Sequence, residues 1–197
     1  MNGDKAVVVI DGGYFDNLNY YLRDERNKKL SIQKLSQKVC GGLDHIRTRF
    51  YHANPYQKNQ SNNAEKKKYI KNQSFLNAIN KIPNHEFVGV GRVKLIHGHC
   101  PICNKDFTTP KQKGVDVAIA LDLVKMARKR VADVFILISG DEDLTSAVEM
   151  SQEELCNVNV YYSNDQQYKI FGSKKLIYAA ADRKIMDLDF LEACAMD

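Results

Sequence analysis

The sequence predicts a single α/β domain built on a largely parallel sheet with helices on both faces. Three observations predict it. Two short apolar runs, Lys5–Asp11 (Lys-Ala-Val-Val-Val-Ile-Asp) and Val134–Ile138 (Val-Phe-Ile-Leu-Ile), have the length and composition of strands buried on both faces. Strand-like and helix-like stretches alternate along the chain, the βα order that right-handed crossovers produce. The chain has 197 residues, 44% of them hydrophobic, which suits one domain with a substantial core.

In order, the Lys5–Asp11 strand ends in an acid followed by Gly12-Gly13, and Tyr14 to Arg26 carries Phe15, Leu18, Tyr21 and Leu22 at helical spacing. Ser31 is an N-cap for a short helix with Ile32, Leu35 and Val39, stopped by Gly41-Gly42. His45 to Ala53 alternates Ile46, Thr48, Phe50 and His52 against Arg47, Arg49 and Tyr51, the pattern of a half-exposed strand, and ends in Asn54-Pro55. A polar helix follows from Asn62 to Ile82, with Tyr69, Ile70, Phe75, Leu76, Ile79 and Ile82 as its inner stripe. Phe87 to Ile96 reads as a strand bent by two glycines, and residues 97–113 as a loop insertion. Gly114 to Arg130 is apolar nearly all round, which predicts a buried helix. After the Val134–Ile138 strand come a helix from about Leu144 to Glu154, a strand Asn157–Tyr162, a short helix to Ala181, a strand Lys184 to Leu188 and a last helical turn or two.

A net charge of +5 permits a polyanionic partner without requiring one. No apolar run approaches the roughly 20 residues that span a bilayer, and the start lacks the apolar core of a signal peptide, so a cytoplasmic protein without a membrane partner is expected. The five cysteines are unevenly spread, and a reducing compartment disfavours a disulfide framework.

The chemistry-bearing residues are acids at comparable places. Asp11 ends the first strand, Asp141 and Asp143 follow Ser139-Gly140 after the Val134–Ile138 strand, and Asp116 opens a helix just past Lys113-Gly114. If those two strands are neighbours, four carboxylates converge where α/β sheets place their functional crevice. Such a cluster repels itself unless a hard cation with oxygen ligands compensates it. Acids at a helix start are also ordinary capping residues. The chain has no Gly-x-Gly-x-x-Gly between first strand and first helix and no Walker lysine motif.

Val9-Ile10-Asp11-Gly12-Gly13, then Lys113-Gly114-Val115-Asp116 leading to Leu121-Asp122-Leu123, then Ser139-Gly140-Asp141-x-Asp143, resemble in that order the NYN domain, the LabA-like branch of the PIN-like nuclease superfamily. The resemblance runs from about Lys5 to Asp189 and implies a three-layer α/β/α sandwich, here a single domain over residues 1–197. It also implies Mg²⁺- or Mn²⁺-dependent hydrolysis of RNA, with Asp11, Asp116, Asp141 and Asp143 as catalytic metal ligands. Single-stranded RNA is the favoured partner; DNA and a homodimer are both admitted. Many members carry Asn shortly after the first Asp-Gly, where this chain has Tyr14, and Asn17 is the nearest substitute. Tyr14, Asn17, Ser139, Lys111 and Lys113 are the expected substrate contacts. Asp122 matches the family's pattern too, but lies about 240° around the helix from Asp116, so a structural pairing is expected for it.

Two further groups stand out. His97, His99, Cys100 and Cys103 have the spacing of a zinc half-site that would pin the 97–113 loop with a structural Zn²⁺; a reduced pair binding no metal is the alternative. Arg47, Arg49, Tyr51 and His52, with Tyr56 and Lys58, mix cations and aromatics that could track phosphates and stack bases, or simply protect a strand edge. Two rivals to a ribonuclease stay open. One is a nucleic-acid- or protein-binding regulator that keeps the acidic pocket but cleaves poorly, and the other is a nucleotide phosphohydrolase using the same site.

Overall fold

A computed structural model describes residues 3–53 and 63–196, without the side chains of residues 64, 65, 68, 94, 110 and 111. Asn54, Pro55, Tyr56 and Lys58 therefore lie outside the described residues. The elements are β1 (Lys5–Asp11), α1 (Gly12–Arg26), α2 (Ile32–Cys40), β2 (Asp44–His52), α3 (Asn63–Ile79) and β3 (His85–Gly89). Then come β4 (Arg92–His99), β5 (Asp106–Lys113), α4 (Val115–Arg128), β6 (Val134–Ile138), a 3-10 turn (Glu142–Leu144) and α5 (Thr145–Glu153). The chain ends with β7 (Asn157–Tyr162), α6 (Lys174–Ala179), β8 (Asp182–Ile185) and α7 (Leu188–Ala193).

Six strands form one sheet in the order β3-β2-β1-β6-β7-β8, and every pair in it is parallel. The chain winds outward from β1 to β3, returns to the centre, and winds the other way from β6 to β8. β1 and β6 therefore flank the point where the winding reverses, and a crevice opens there at the strands' carboxyl ends.

Alternation along the strands divides the interior in two. Ala6, Val8 and Ile10 of β1 and Ile136 of β6 face one core with Phe15, Leu18 and Leu35 from α1 and α2, Leu76 from α3 and Leu191 from α7. Val7, Val9, Phe135 and Leu137 face the other core with Ile119 and Leu123 from α4, Val148 from α5 and Leu176 from α6. The result is the three-layer α/β/α sandwich.

Four expectations need correction. β2 is an internal strand, with Thr48, Phe50 and Tyr51 fully buried, because β3 covers its outer edge. The long loop is mostly strand: β4 and β5 pair antiparallel from Arg92↔Lys113 to His99↔Asp106 as a hairpin separate from the main sheet. α4 is not buried all round, since only one side of an outer-layer helix can meet the sheet; Val117 and Leu121 are 62% and 67% exposed. In α3 only Leu76 and Ile79 are buried, whereas Ile70 and Phe75 are exposed.

The arginine in β2 explains how that strand can be internal. Arg49 Nη1 donates to Asp122 Oδ2 of α4 at 2.9 Å, and the Tyr51 hydroxyl donates to the same oxygen at 3.1 Å. Arg49 Nε also lies 3.3 Å from Glu86 of β3. Burial pushes the Tyr51 phenol well above its ordinary pKa. Asp122 is thus a structural acid, while Arg49 and Tyr51 are committed inside the protein and offer no platform for bases. Asp122→Ala is expected to destabilise the fold by about 1–3 kcal/mol, because it strands a guanidinium that is only partly solvated. Asp122→Asn, which still accepts from Tyr51, should cost less; urea denaturation of both variants checks the order.

Candidate functional site: an acidic crevice at the sheet's reversal point

Asp11 is the last residue of β1 and the N-cap of α1. Its Oδ1 accepts the N–H groups of Gly13 and Tyr14 at 2.9 and 3.3 Å. Its Oδ2 accepts the Ser139 hydroxyl at 3.0 Å, and Ser139 Oγ in turn accepts the Asp141 N–H at 3.2 Å. Ser139 is fully buried and links Asp11 to Asp141. Asp141 caps the 3-10 turn through the Asp143 N–H at 2.9 Å.

Asp11 is only 9% exposed. Burial drives its pKa upward, the Tyr14 N–H and the Ser139 hydroxyl pull it back, and the charge of Asp116 raises it again. That coupling places Asp116, in the first turn of α4, within electrostatic reach of Asp11. Asp143 is exposed and lines a groove of about 510 Å³ with Ala120, Leu121, Val124 and Met150 between α4 and α5. Asp11 and Asp141 are thus joined through Ser139, Asp116 lies within electrostatic reach of Asp11, and Asp143 faces the α4–α5 groove. As placed, no three Asp, Glu, His or Cys side chains among the described residues form a group that could hold a metal ion. The donor set nonetheless fits a hard divalent cation: it is all carboxylate, and Asp11 and Asp116 repel each other across a poorly solvated gap.

Tyr14 lies under this assembly. Its ring sits beneath Gly140, where an added Cβ would come within 2.8 Å of Cε2 and within 1.9 Å of the Phe171 carbonyl oxygen, so position 140 admits only glycine. The Tyr14 hydroxyl accepts the Ser163 N–H at 2.8 Å, and burial pushes its pKa up to about 12. Tyr14 thus packs beneath Gly140 with its hydroxyl bonded to the Ser163 N–H. Asn17 is exposed on α1 and Lys113 is exposed at the base of the hairpin; the Lys111 side chain lies outside the described residues.

The surroundings of Asp11 also include His52, which the sequence marked only as part of a mixed cationic and aromatic strand, and Gln112, which it did not single out. At Gly12 an added Cβ would meet the Tyr51 carbonyl oxygen and the His52 ring, each at 2.6 Å, so the glycine lets the end of β2 close on β1. His52 Nδ1 faces the Ala53 carbonyl at 2.7 Å, and Nε2 lies 3.1 Å from Asp16 Oδ2 and 3.2 Å from Gln112 Nε2. Gln112 Oε1 accepts the Ala53 N–H at 3.3 Å, which ties the hairpin to the sheet. Burial lowers the His52 pKa, but Asp16, the Ala53 carbonyl and Asp11 outweigh it and hold it above the ordinary value. Strand register is the signal that could have found His52: Asp11 pairs with Tyr51, so residue 52 falls beside the acid. Nothing in the sequence marks Gln112.

A sequence profile of the NYN domain matches residues 5–187. An uncharacterized protein of Sinorhizobium fredii, y4oD, is 45% identical over 42 residues, which are 21% of this chain and 20% of that protein. This chain thus matches about a fifth of that relative's length. A crystal structure of a protein of unknown function from Vibrio parahaemolyticus is similar in fold, with a TM-score of 0.63 over 99% of this chain and 98% of that chain at 18% identity.

The raised pKa of Asp11 has a consequence for stability. The native state holds that proton more tightly than the unfolded chain, so the contribution is fully present below the unfolded value near 3.8 and is lost as pH rises through the folded value. Asp11→Asn keeps an uncharged oxygen for the Gly13 and Tyr14 N–H groups. The variant is therefore expected to gain on the wild type as pH rises from about 4 to about 7 in chelator, measured by urea denaturation at each pH.

Proposed function

The chain belongs to the NYN domain family, within the PIN-like nuclease superfamily, and we propose that it is a Mg²⁺- or Mn²⁺-dependent ribonuclease acting on single-stranded RNA. The observation that carries this reading is the Asp11–Ser139–Asp141 hydrogen-bond chain at the sheet's reversal point, with Asp116 beside it. Asp11, Asp116, Asp141 and Asp143 would hold the cation. When bound, it supplies a Lewis acid and an ionised water for attack on a phosphodiester.

The chain's own residues prepare that chemistry. Ser139 and the α1 N–H groups fix the Asp11 carboxylate, so its orientation is set before substrate arrives. Asp141 Oδ1 is held by the Asp143 N–H, which leaves its other oxygen and the exposed Asp143 carboxylate for a phosphate-bound cation on the solvent side. Asp16 and the Ala53 carbonyl favour the protonated form of His52 beside Asp11, and Lys113 with Lys111 draws the RNA backbone toward the crevice. All five cysteines are free, which agrees with a reducing, cytoplasmic setting. Among the described residues no helix is long and apolar enough to cross a membrane.

One observation favours a regulator that binds but cleaves poorly: as placed, no three of the acids form a group that could hold a metal. Incubation of single-stranded and duplex RNA and DNA with Mg²⁺, Mn²⁺ or chelator decides between them. The enzyme is expected to cut single-stranded RNA only with metal, and Asp141→Asn to lose about 10²- to 10³-fold in rate. Binding of RNA without metal-dependent cleavage would establish the regulator instead. Replacing Lys111 and Lys113 with Ala should lower the salt dependence of single-strand binding by about 0.7 in slope per lost contact.

A further inference from the structure

The tip of the β4–β5 hairpin holds a feature that the acidic crevice does not use. Cys100 and Cys103 stand on one tight turn, closed by Cys100 N–H to the Lys105 carbonyl at 2.9 Å and Asn104 N–H to the Cys100 carbonyl at 2.9 Å. Asn104 takes the left-handed conformation, φ 55°, that completes it. Both thiols are free, and the two-residue spacing on a closed turn sets them side by side, the arrangement that soft metals take.

Among the described residues nothing else completes a four-ligand site around this pair. Cys40, Cys156 and Cys194 are buried in the body of the domain. His97 Nδ1 bonds the Thr108 hydroxyl at 2.9 Å, while His99 engages Asp106 through Nδ1 at 2.8 Å and Asn104 through Nε2 at 3.0 Å. Neither histidine joins the cysteines in a metal-holding group among the described residues. Residues 54–62 contain no Cys, His, Asp or Glu. The turn therefore presents two sulfur ligands where a structural zinc needs four.

We propose that Cys100 and Cys103 form one half of a tetrahedral four-thiolate zinc site whose other half is the same pair on a second copy of this chain. A two-fold axis through the metal supplies four equivalent sulfurs, the closed arrangement of structural zinc. Ile102, between the cysteines, is 94% exposed, and apposing two turns covers this apolar side chain with its mate. Lys105 sits beside the pair in each copy and offsets the charge of the thiolates. On binding, each thiol gives its proton to solvent, so assembly tightens as pH rises.

The test uses the full chain under reducing conditions, with zinc content by elemental analysis and mass by sedimentation. Protein supplied with Zn²⁺ is expected to hold half a zinc per chain at twice the chain mass, and chelator should return it to the single-chain mass. Cys100→Ser/Cys103→Ser should stay single and zinc-free with an unchanged melting temperature, because the turn is outside both cores. His97→Ala/His99→Ala should keep half a zinc and the doubled mass. One zinc per chain at the single-chain mass would overturn the proposal in favour of a local site. So would no zinc uptake by the reduced wild type, or a doubled mass that survives chelation. The chelator series on wild type decides the matter even if a variant fails to fold.

Discussion

Asp11 carries a carboxylate to a place that solvent scarcely reaches, and the centre of the molecule is arranged to tolerate it. Two N–H groups of α1 and the Ser139 hydroxyl close around it, and all of these donors are neutral. Hydrogen bonds from neutral groups orient a carboxylate without cancelling its charge, which leaves Asp11 with an elevated proton affinity and an unsatisfied attraction for a cation. Geometry follows from the same requirement. Gly12 must lack a side chain for β2 to approach, and Gly140 must lack one for the Phe171 carbonyl and the Tyr14 ring to pack against it.

Comparison with Asp122 shows how differently two acids can be held. Asp122 also lies partly inside, on the α4 side of the sheet, but its partners are a guanidinium and a phenol that are always present. Its charge is compensated within the chain, and Arg49 is compensated again by Glu86. At Asp11 the donors are neutral, and the charge of Asp116 adds to burial in raising its proton affinity. Position accounts for the difference: Asp122 faces β2 inside the α4 layer, whereas Asp11 ends β1 at the carboxyl edge of the sheet.

Much of this was legible in the residues. Unbroken apolar runs identify β1 and β6, since only a strand covered on both faces can carry Val-Val-Val-Ile or Phe-Ile-Leu-Ile. Acids immediately after those runs marked the crevice once the strands proved to be neighbours. What misled was side chains whose partners are distant in sequence. Arg49 and Tyr51 look like part of a solvated strand face until Asp122, 73 residues away from Arg49, is brought over them. β5 hid because Thr-Thr-Pro-Lys-Gln-Lys lacks apolar alternation; its pairing with β4 supplies what its own composition does not. His52 and Gln112 enter the site only through strand register and a side-chain clasp, neither of which has a local signature.

The hairpin's independence from the main sheet has a consequence for how such a molecule diversifies. β4 and β5 pair only with each other, and a Gln112 side chain clasps their base to the end of β2. Lengthening or trimming the two strands in matched steps would move the tip without re-registering any of the six parallel strands. Reach at the tip is therefore open to mutation at little structural risk, because such changes leave the strand ends that build the acidic crevice where they are.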